Sequence, residues 1–116
     1  MVVEKRRFPR VVFKCLVYVR YENKTEIYPS YTGNISLGGL MVTLQYKLQT
    51  DTQVLIELFL KEKERPLQVS GQVRWVTSTS AVENDDTMYD TGIEFSILTE
   101  DARMRLNAVV SQVSSQ

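Results

Sequence analysis

The sequence predicts a mostly β protein: a six-stranded antiparallel (split) β-barrel with a C-terminal α-helix. Three observations support this fold class. Apolar and polar residues alternate with a period of two in six short segments, and no segment of helical spacing separates them. Apolar residues recur at three- and four-residue spacing only near the C-terminus. Because 116 residues with 43% apolar content can bury one core, we expect a single domain.

The first three strands are predicted in the N-terminal half of the chain. Alternation over residues 11–21 predicts the first strand, and polar residues 23–24 lie where a turn is expected. A second strand is predicted over residues 27–31, where a proline indicates an edge or a bulge. Residues 33–39 contain three of the five glycines and predict a turn, and alternation over residues 40–44 then predicts the third strand.

Three more strands are predicted after residue 50. Residues 54–60 alternate as a fourth strand, and the charged segment 61–65, which precedes a proline, predicts a reversal of the chain. Residues 67–75 show the clearest alternation in the sequence and predict the fifth strand. The polar stretch 77–87 has no hydrophobic periodicity, so we expect a solvent-exposed loop there. Residues 89–95 predict the sixth strand.

The C-terminal segment predicts one helix over residues 99–113. Thr99 is a suitable N-cap, and the carboxylates of Glu100 and Asp101 suit the positive end of the helix dipole. The apolar residues of this segment form one stripe that would dock on the sheet: Ala102, Leu106, Val109, Val110 and Val113.

Composition narrows the possible classes of function. The net charge is zero, which gives no reason to expect binding to DNA, RNA or a membrane surface. No apolar run approaches the roughly 18 residues needed to span a bilayer, so we expect a cytoplasmic protein without membrane insertion. The chain has no histidine, and its one cysteine, Cys15, lies on the apolar face of the first strand. We therefore expect no metal, no cofactor, no catalytic residues and no enzymatic activity.

Basic residues are concentrated at the N-terminus. Residues 1–14 contain five basic residues and one acidic residue, a net charge of +4, and the rest of the chain carries a net charge of −4. From charge alone, this segment is a solvated tail, whereas a motif within it would indicate a binding function.

Two short polar motifs indicate a candidate site. The first is RRFPR at residues 6–10, within the basic segment, and the second is NISLGG at residues 34–39, in the predicted turn. They are followed by GQVRW at residues 71–75 and GIEF at residues 92–95. In residue type and order, these four segments resemble the PilZ domain family, and the resemblance covers nearly the whole chain.

The resemblance implies a binding site for the bacterial second messenger cyclic di-GMP. In the family, the arginines of an Arg-x-x-x-Arg motif and the polar residues of an Asp/Asn-x-Ser-x-x-Gly motif bind this ligand. The matching positions and their neighbours give the expected site: Arg6, Arg7, Arg10, Asn34, Ser36, Gly38 and Gly39. The resemblance also implies a flexible basic ligand-binding arm at residues 1–10, a PilZ-like β-barrel at residues 11–98 and the helix of the same domain at residues 99–113.

The chemistry of these residue types suits a ligand with two phosphates and two guanines. A guanidinium can bind a phosphate through two parallel hydrogen bonds, bind the O6/N7 edge of guanine, or stack on the base. Arg6 and Arg10, four residues apart on an extended arm, would reach different parts of one ligand. Asn34 keeps the acceptor of the aspartate that is frequent at this position in the family, but it lacks the negative charge.

The implied function is a cyclic di-GMP receptor and effector module that signals to an unidentified effector protein when its arm becomes ordered. The alternative is a PilZ-like protein-interaction adaptor that does not bind nucleotide. An oligonucleotide-binding barrel would instead carry basic and aromatic residues along its central strands. Residues 34–39 could also be only a tight turn that needs glycines of positive φ. Trp75 and Gly71 are expected to pack within the barrel.

Overall fold

The computed structural model describes residues 10–21, 27–61, 63–80 and 87–114 of the chain. Within these ranges the chain forms seven strands and one helix. Their bounds are β1 Val11–Val12, β2 Leu16–Tyr21, β3 Tyr28–Ile35, β4 Gly39–Leu44, β5 Gln53–Phe59, β6 Leu67–Ser80, β7 Thr87–Phe95 and α1 Glu100–Ser114.

The strands form a closed barrel. Neighbouring strands follow the order β3-β2-β5-β6-β7-β4, and β4 also pairs with β3, which completes a ring of six. Every pairing in the ring is antiparallel. β1 is an additional strand that pairs with the end of β3. The predicted fold class, a six-stranded antiparallel barrel with a C-terminal helix, is therefore confirmed.

The core lies inside this ring because alternate residues of the strands are apolar. Val17 and Val19 on β2 are fully buried, as are Ile56 and Leu58 on the neighbouring strand β5. Burial of one such side chain stabilises the fold by about 1.5–3 kcal/mol. The period-two pattern of the sequence thus corresponds to the division between core and surface.

Helix α1 packs against β1 and β6. Its apolar stripe joins the barrel core through Ala102, Leu106, Val109 and Val110. The backbone N–H of Ala102 donates a hydrogen bond to Thr99 Oγ1 at 3.1 Å, which confirms Thr99 as the N-cap. In the ranges that the structure describes, no helix has the length and apolar character needed to cross a membrane.

The predicted first strand is interrupted, because a side chain from β3 takes over its backbone hydrogen bonds. Thr32 Oγ1 accepts a hydrogen bond from the Cys15 N–H at 3.0 Å and donates one to the carbonyl of Phe13 at 2.6 Å. Residues 13–15 therefore leave the ladder, and the segment continues as β1 and β2. Cys15 is buried, and this burial raises the pKa of its thiol, so the thiol stays neutral at physiological pH.

The predicted second strand is longer, and the predicted turn shorter, than the sequence pattern indicated. β3 continues to Ile35 with a bulge at Gly33, so only residues 36–38 connect it to β4. None of the five glycines, all of which the structure describes, has a positive φ. The alternative that this turn needs left-handed glycines is therefore wrong.

The predicted loop at residues 77–87 is wrong in its first part. Residues 77–80 extend β6 and pair with the start of β7, from Thr77 opposite Asp90 to Ser80 opposite Thr87. Residues 77–79 are polar and exposed, so this part of the strand has no apolar face that alternation would reveal. Residues 81–86 lie outside the described residues.

Candidate functional site

A cavity of about 710 Å³ lies where the start of β1, the β3–β4 turn and strands β6 and β7 meet. Its lining includes Arg10, residues 36–39, residues 74–75, residues 92–98 and Arg103 of α1. This volume lies within the range of about 300–1,000 Å³ that is typical of small-molecule sites. We therefore treat the cavity as the candidate binding site.

A second cavity of about 490 Å³ lies beside the N-terminal end of α1. Arg105 lines it and donates a hydrogen bond to the backbone carbonyl of Arg65. The Arg105 guanidinium also lies 3.5 Å from the Glu64 carboxylate and 3.9 Å from the Asp101 carboxylate. The contacts with Glu64 and Arg65 connect α1 to the segment before β6. This structural role accounts for the charged residues at the second cavity.

The turn between β3 and β4 is built around Ser36. Its Oγ accepts hydrogen bonds from the backbone N–H groups of Gly38 and Gly39, both at 3.1 Å. Its own N–H donates to the carbonyl of Gly39 at 2.9 Å. Such local bonds from a serine hydroxyl are typical of tight turns. The Ser36 hydroxyl is therefore occupied in shaping the wall of the cavity.

Gly39 allows β4 to approach β7 closely. A Cβ at this position would overlap the carbonyl oxygen of Ile93 and would lie only 3.2 Å from the Glu94 Cα. The N–H of Phe95 also donates to the carbonyl of Gly38 at 2.8 Å. The glycines thus hold the turn against the edge of β7, which brings the NISLGG motif to the cavity.

Arg10 reaches the same cavity from the other side of the turn. It is exposed and directly precedes β1, whose Val11 pairs with Ile35 of β3. This register brings Arg10 beside Ser36 at the start of the turn. The structure therefore brings together four of the predicted site residues: Arg10, Ser36, Gly38 and Gly39.

The other three predicted site residues are not placed at the cavity. Arg6 and Arg7 lie outside the described residues, so the structure gives them no position. Asn34 lies on β3 opposite Val12 and Met41, and it does not line the cavity. Its Oδ1 is buried and has no hydrogen-bond partner in the part of the chain that the structure describes.

A β-bulge in β6 adds residues that the motifs did not predict. Val73 pairs with Ile93 and Trp75 pairs with Gly92, so Arg74 is the extra residue of the bulge. Because the bulge shifts the alternation, Arg74 and Trp75 both line the cavity, and Val76 packs against the core instead. A regular strand would place only one of two successive side chains at the cavity.

The expected packing of Trp75 with Gly71 is wrong for the same reason. A Cβ on Gly92 would overlap the indole ring of Trp75, so the glycine opposite this ring is Gly92. Gly71 instead pairs with Val54 and Phe95. The half-buried Trp75 ring thus lies on the outer side of the barrel, at the cavity, rather than in its core.

Arg74 connects the bulge to two carboxylates. It donates a hydrogen bond to Glu94 Oε1 at 2.8 Å, and its guanidinium lies 3.6 Å from Asp51 Oδ1. The hydrogen bond and the charge of Glu94 raise the pKa of Arg74 above its already high ordinary value. Arg74 is therefore charged at every physiological pH.

The charges of the cavity suit an anionic ligand that also has apolar surface. Three guanidinium groups, those of Arg10, Arg74 and Arg103, line it together with one carboxylate, that of Glu94. Trp75 adds an aromatic side chain to the lining. Among the described lining residues the charge is thus positive, and a nucleotide combines the phosphate and the aromatic base that such a cavity can bind.

Comparison with known families agrees with the sequence motifs. The family model described as PilZ domain matches residues 4–112 of the chain. No curated protein sequence matches the chain.

Several solved structures share this fold. The PilZ domain of YcgR from Escherichia coli, with c-di-GMP, has a TM-score of 0.77 at 13% identity over 97% of this chain and 93% of that chain. The Bacillus subtilis inhibitor of motility, MotI/DgrA, has a TM-score of 0.75 at 17% identity over 98% of this chain and 53% of its own. The MrkH–c-di-GMP complex of K. pneumonia has a TM-score of 0.73 at 19% identity over 98% of this chain and 54% of its own. The chain spans about half the length of the latter two proteins, and at these identities the likeness concerns the fold.

Proposed function

Since this chain belongs to the PilZ domain family, we propose that it is a receptor module that binds cyclic di-GMP in the cavity beside the β3–β4 turn. One observation is the main support for this proposal. Arg10 and the turn residues Ser36, Gly38 and Gly39 come from two separate motifs and line the same cavity. The YcgR and MrkH structures with this fold contain c-di-GMP, which supports the same ligand here.

Arginine side chains bind the phosphates in this proposal. Arg10 lies at the rim of the cavity, exposed and able to turn its planar guanidinium toward a phosphate. Arg6 and Arg7 enter the proposal through the RRFPR motif alone. The close packing of the glycine turn keeps side chains away from this rim, so the ligand can approach the backbone.

The bases are held by the surface next to the turn. The half-buried Trp75 ring offers an aromatic surface on which one guanine can stack, a contribution of about 1–3 kcal/mol per base in other nucleotide sites. The unpaired Oδ1 of Asn34 needs a donor, since a buried acceptor without one costs about 1–3 kcal/mol. In the bound state the arm supplies that donor, because Asn34 itself does not line the cavity.

The receptor signals through its arm. Arg10 directly precedes β1, and Val11 of β1 joins the same core as Leu106 of α1. When residues 1–10 become ordered around the ligand, the surface next to β1 and α1 changes, and an effector protein recognises that surface. Neither a cofactor nor a catalytic step is part of this function.

Titration calorimetry with cyclic di-GMP tests the proposal on the full chain. Arg10→Ala should weaken binding by about a hundredfold or more, because each charge-assisted hydrogen bond contributes roughly 1.5–3 kcal/mol and Arg10 can make two. Arg10→Lys should recover little of this loss, because lysine keeps the charge but not the planar, bidentate geometry.

Arg65→Ala is the matched control, since Arg65 is exposed and lies outside the candidate cavity. It should bind like the parent chain, and all variants should melt at the parent temperature. If the parent binds no cyclic di-GMP, the receptor function is wrong and the adaptor alternative takes its place. If the parent binds and Arg10→Ala binds within about threefold of it, a loss far below one charge-assisted bond, the ligand occupies another site.

A further inference from the structure

We infer that Glu94 recognises a guanine of cyclic di-GMP through its carboxylate, and that Arg74 is the positioning residue for this carboxylate. The inference rests on the proposed function and adds to it the group that distinguishes guanine from adenine. Neither residue belongs to the two motifs that indicated the site.

Glu94 is the one charged acceptor among the described residues that line the cavity. The Ser36 hydroxyl already accepts two backbone hydrogen bonds in the turn, and Asn34 does not line the cavity. Phosphates cannot use a carboxylate, because both groups are anionic acceptors. A carboxylate in an otherwise cationic cavity is therefore placed to accept hydrogen bonds from a base.

Among the described residues, Arg74 is the one side chain that binds the Glu94 carboxylate. Arg74 bonds its Oε1 at 2.8 Å, while Asp51 lies on the other side of the Arg74 guanidinium at 3.6 Å. The side chain of Glu94 remains 57% exposed, so a ligand in the cavity can reach it. An ion pair this exposed contributes little to stability, and stability does not account for its position at the cavity.

The β6 bulge combines this carboxylate with an aromatic surface. Because Arg74 is the extra residue, Arg74 and Trp75 line the cavity together. Trp75 pairs with Gly92 of β7, and the Arg74 side chain reaches Glu94, which is two residues further along β7 and pairs with Gln72. Bulges next to binding sites often redirect side chains in this way. A base that stacks on Trp75 would present its edge to groups on β7, where Glu94 is located.

The edge of guanine matches a carboxylate, and the edge of adenine does not. Guanine carries two adjacent donors, N1–H and the 2-amino group, and a carboxylate offers two acceptors at a similar spacing. Adenine has an unprotonated N1 and no 2-amino group, so its lone pair would face the negative carboxylate. Glu94 should thus favour cyclic di-GMP over cyclic di-AMP.

The test is a calorimetric titration of the full chain with cyclic di-GMP and, separately, with cyclic di-AMP. Glu94→Gln should lower the affinity for cyclic di-GMP by about tenfold or more, the effect of losing hydrogen bonds to a charged acceptor. Its affinity for cyclic di-AMP should stay the same or rise. Arg74→Gln should reduce the ratio of the two affinities by a smaller factor, because the carboxylate remains but is no longer held in place.

Glu57→Gln is the matched control, since Glu57 lies on β5 and does not line the cavity. It should leave both affinities unchanged, which excludes a general effect of removing one negative charge. The inference is overturned if Glu94→Gln leaves the ratio of affinities unchanged, or if it strengthens cyclic di-GMP binding, which would make Glu94 a group that repels the phosphates. A parent chain that binds neither dinucleotide would instead contradict the proposed function itself.

Discussion

Gly39 and Gly92 have no room for a side chain, and in both cases the obstacle is a neighbouring strand. At Gly39 a Cβ would overlap the backbone carbonyl of Ile93, and at Gly92 it would overlap the ring of Trp75. The glycine-rich motif could be found in the sequence, but its pattern indicated a turn of positive φ. Crowding between strands distant in sequence is the actual reason for Gly39, and a single sequence does not contain that information.

Two glycines of the β3–β4 hairpin should respond differently to replacement by alanine. Gly39→Ala should destabilise the chain by about 1–3 kcal/mol, because the carbonyl of Ile93 belongs to a paired strand and cannot move without disturbing it. Gly33→Ala should cost less than about 1 kcal/mol, because the added Cβ meets only the flexible end of Met41. Urea unfolding measures the free energy of unfolding of each variant. Equal losses of stability would contradict the close approach of β4 to β7 at Gly39.

Alternation predicted the strands wherever one side of the strand is apolar and the other polar. It failed at residues 77–80, because this part of β6 is polar and has no apolar residues that could alternate with polar ones. It also failed in the middle of β6, where Trp75 and Val76 are both apolar and only the bulge decides which one packs against the core. Bulges depend on the partner strand, so the pattern of one strand cannot reveal them.

The hydroxyl of Thr99 caps the start of α1. Thr99→Ala should destabilise the chain by about 0.5–2 kcal/mol, because the Ala102 N–H loses its acceptor at the helix N-terminus. Thr99→Ser should recover most of the loss, since serine keeps the hydroxyl. Thermal unfolding followed by circular dichroism measures the difference. If serine and alanine are equally destabilising, the methyl group of Thr99 matters and its hydroxyl does not.

The whole molecule assembles its cavity from segments far apart in the sequence. The motifs predicted Arg10, Ser36 and the two glycines, because the residue types at these positions are specific to the family. They did not predict Arg74 and Glu94, because the contact between these two side chains depends on the pairing of β6 with β7 and on the bulge in β6. β1 pairs with β3 and contacts α1, so Arg10, which directly precedes β1, lies near the helix.

A proton–nitrogen correlation spectrum recorded during a titration with cyclic di-GMP tests most directly whether this cavity is the binding site. Glycine amides appear in a separate region, and three of the five, Gly38, Gly39 and Gly92, line the cavity. If cyclic di-GMP binds in this cavity, these three signals shift with the ligand, while the signal of Gly71, which does not line the cavity, changes little. Shifts confined to Gly71, or to Arg65, Leu67 and Gln68 of the second cavity, with these three signals unchanged, would show that the ligand does not bind here.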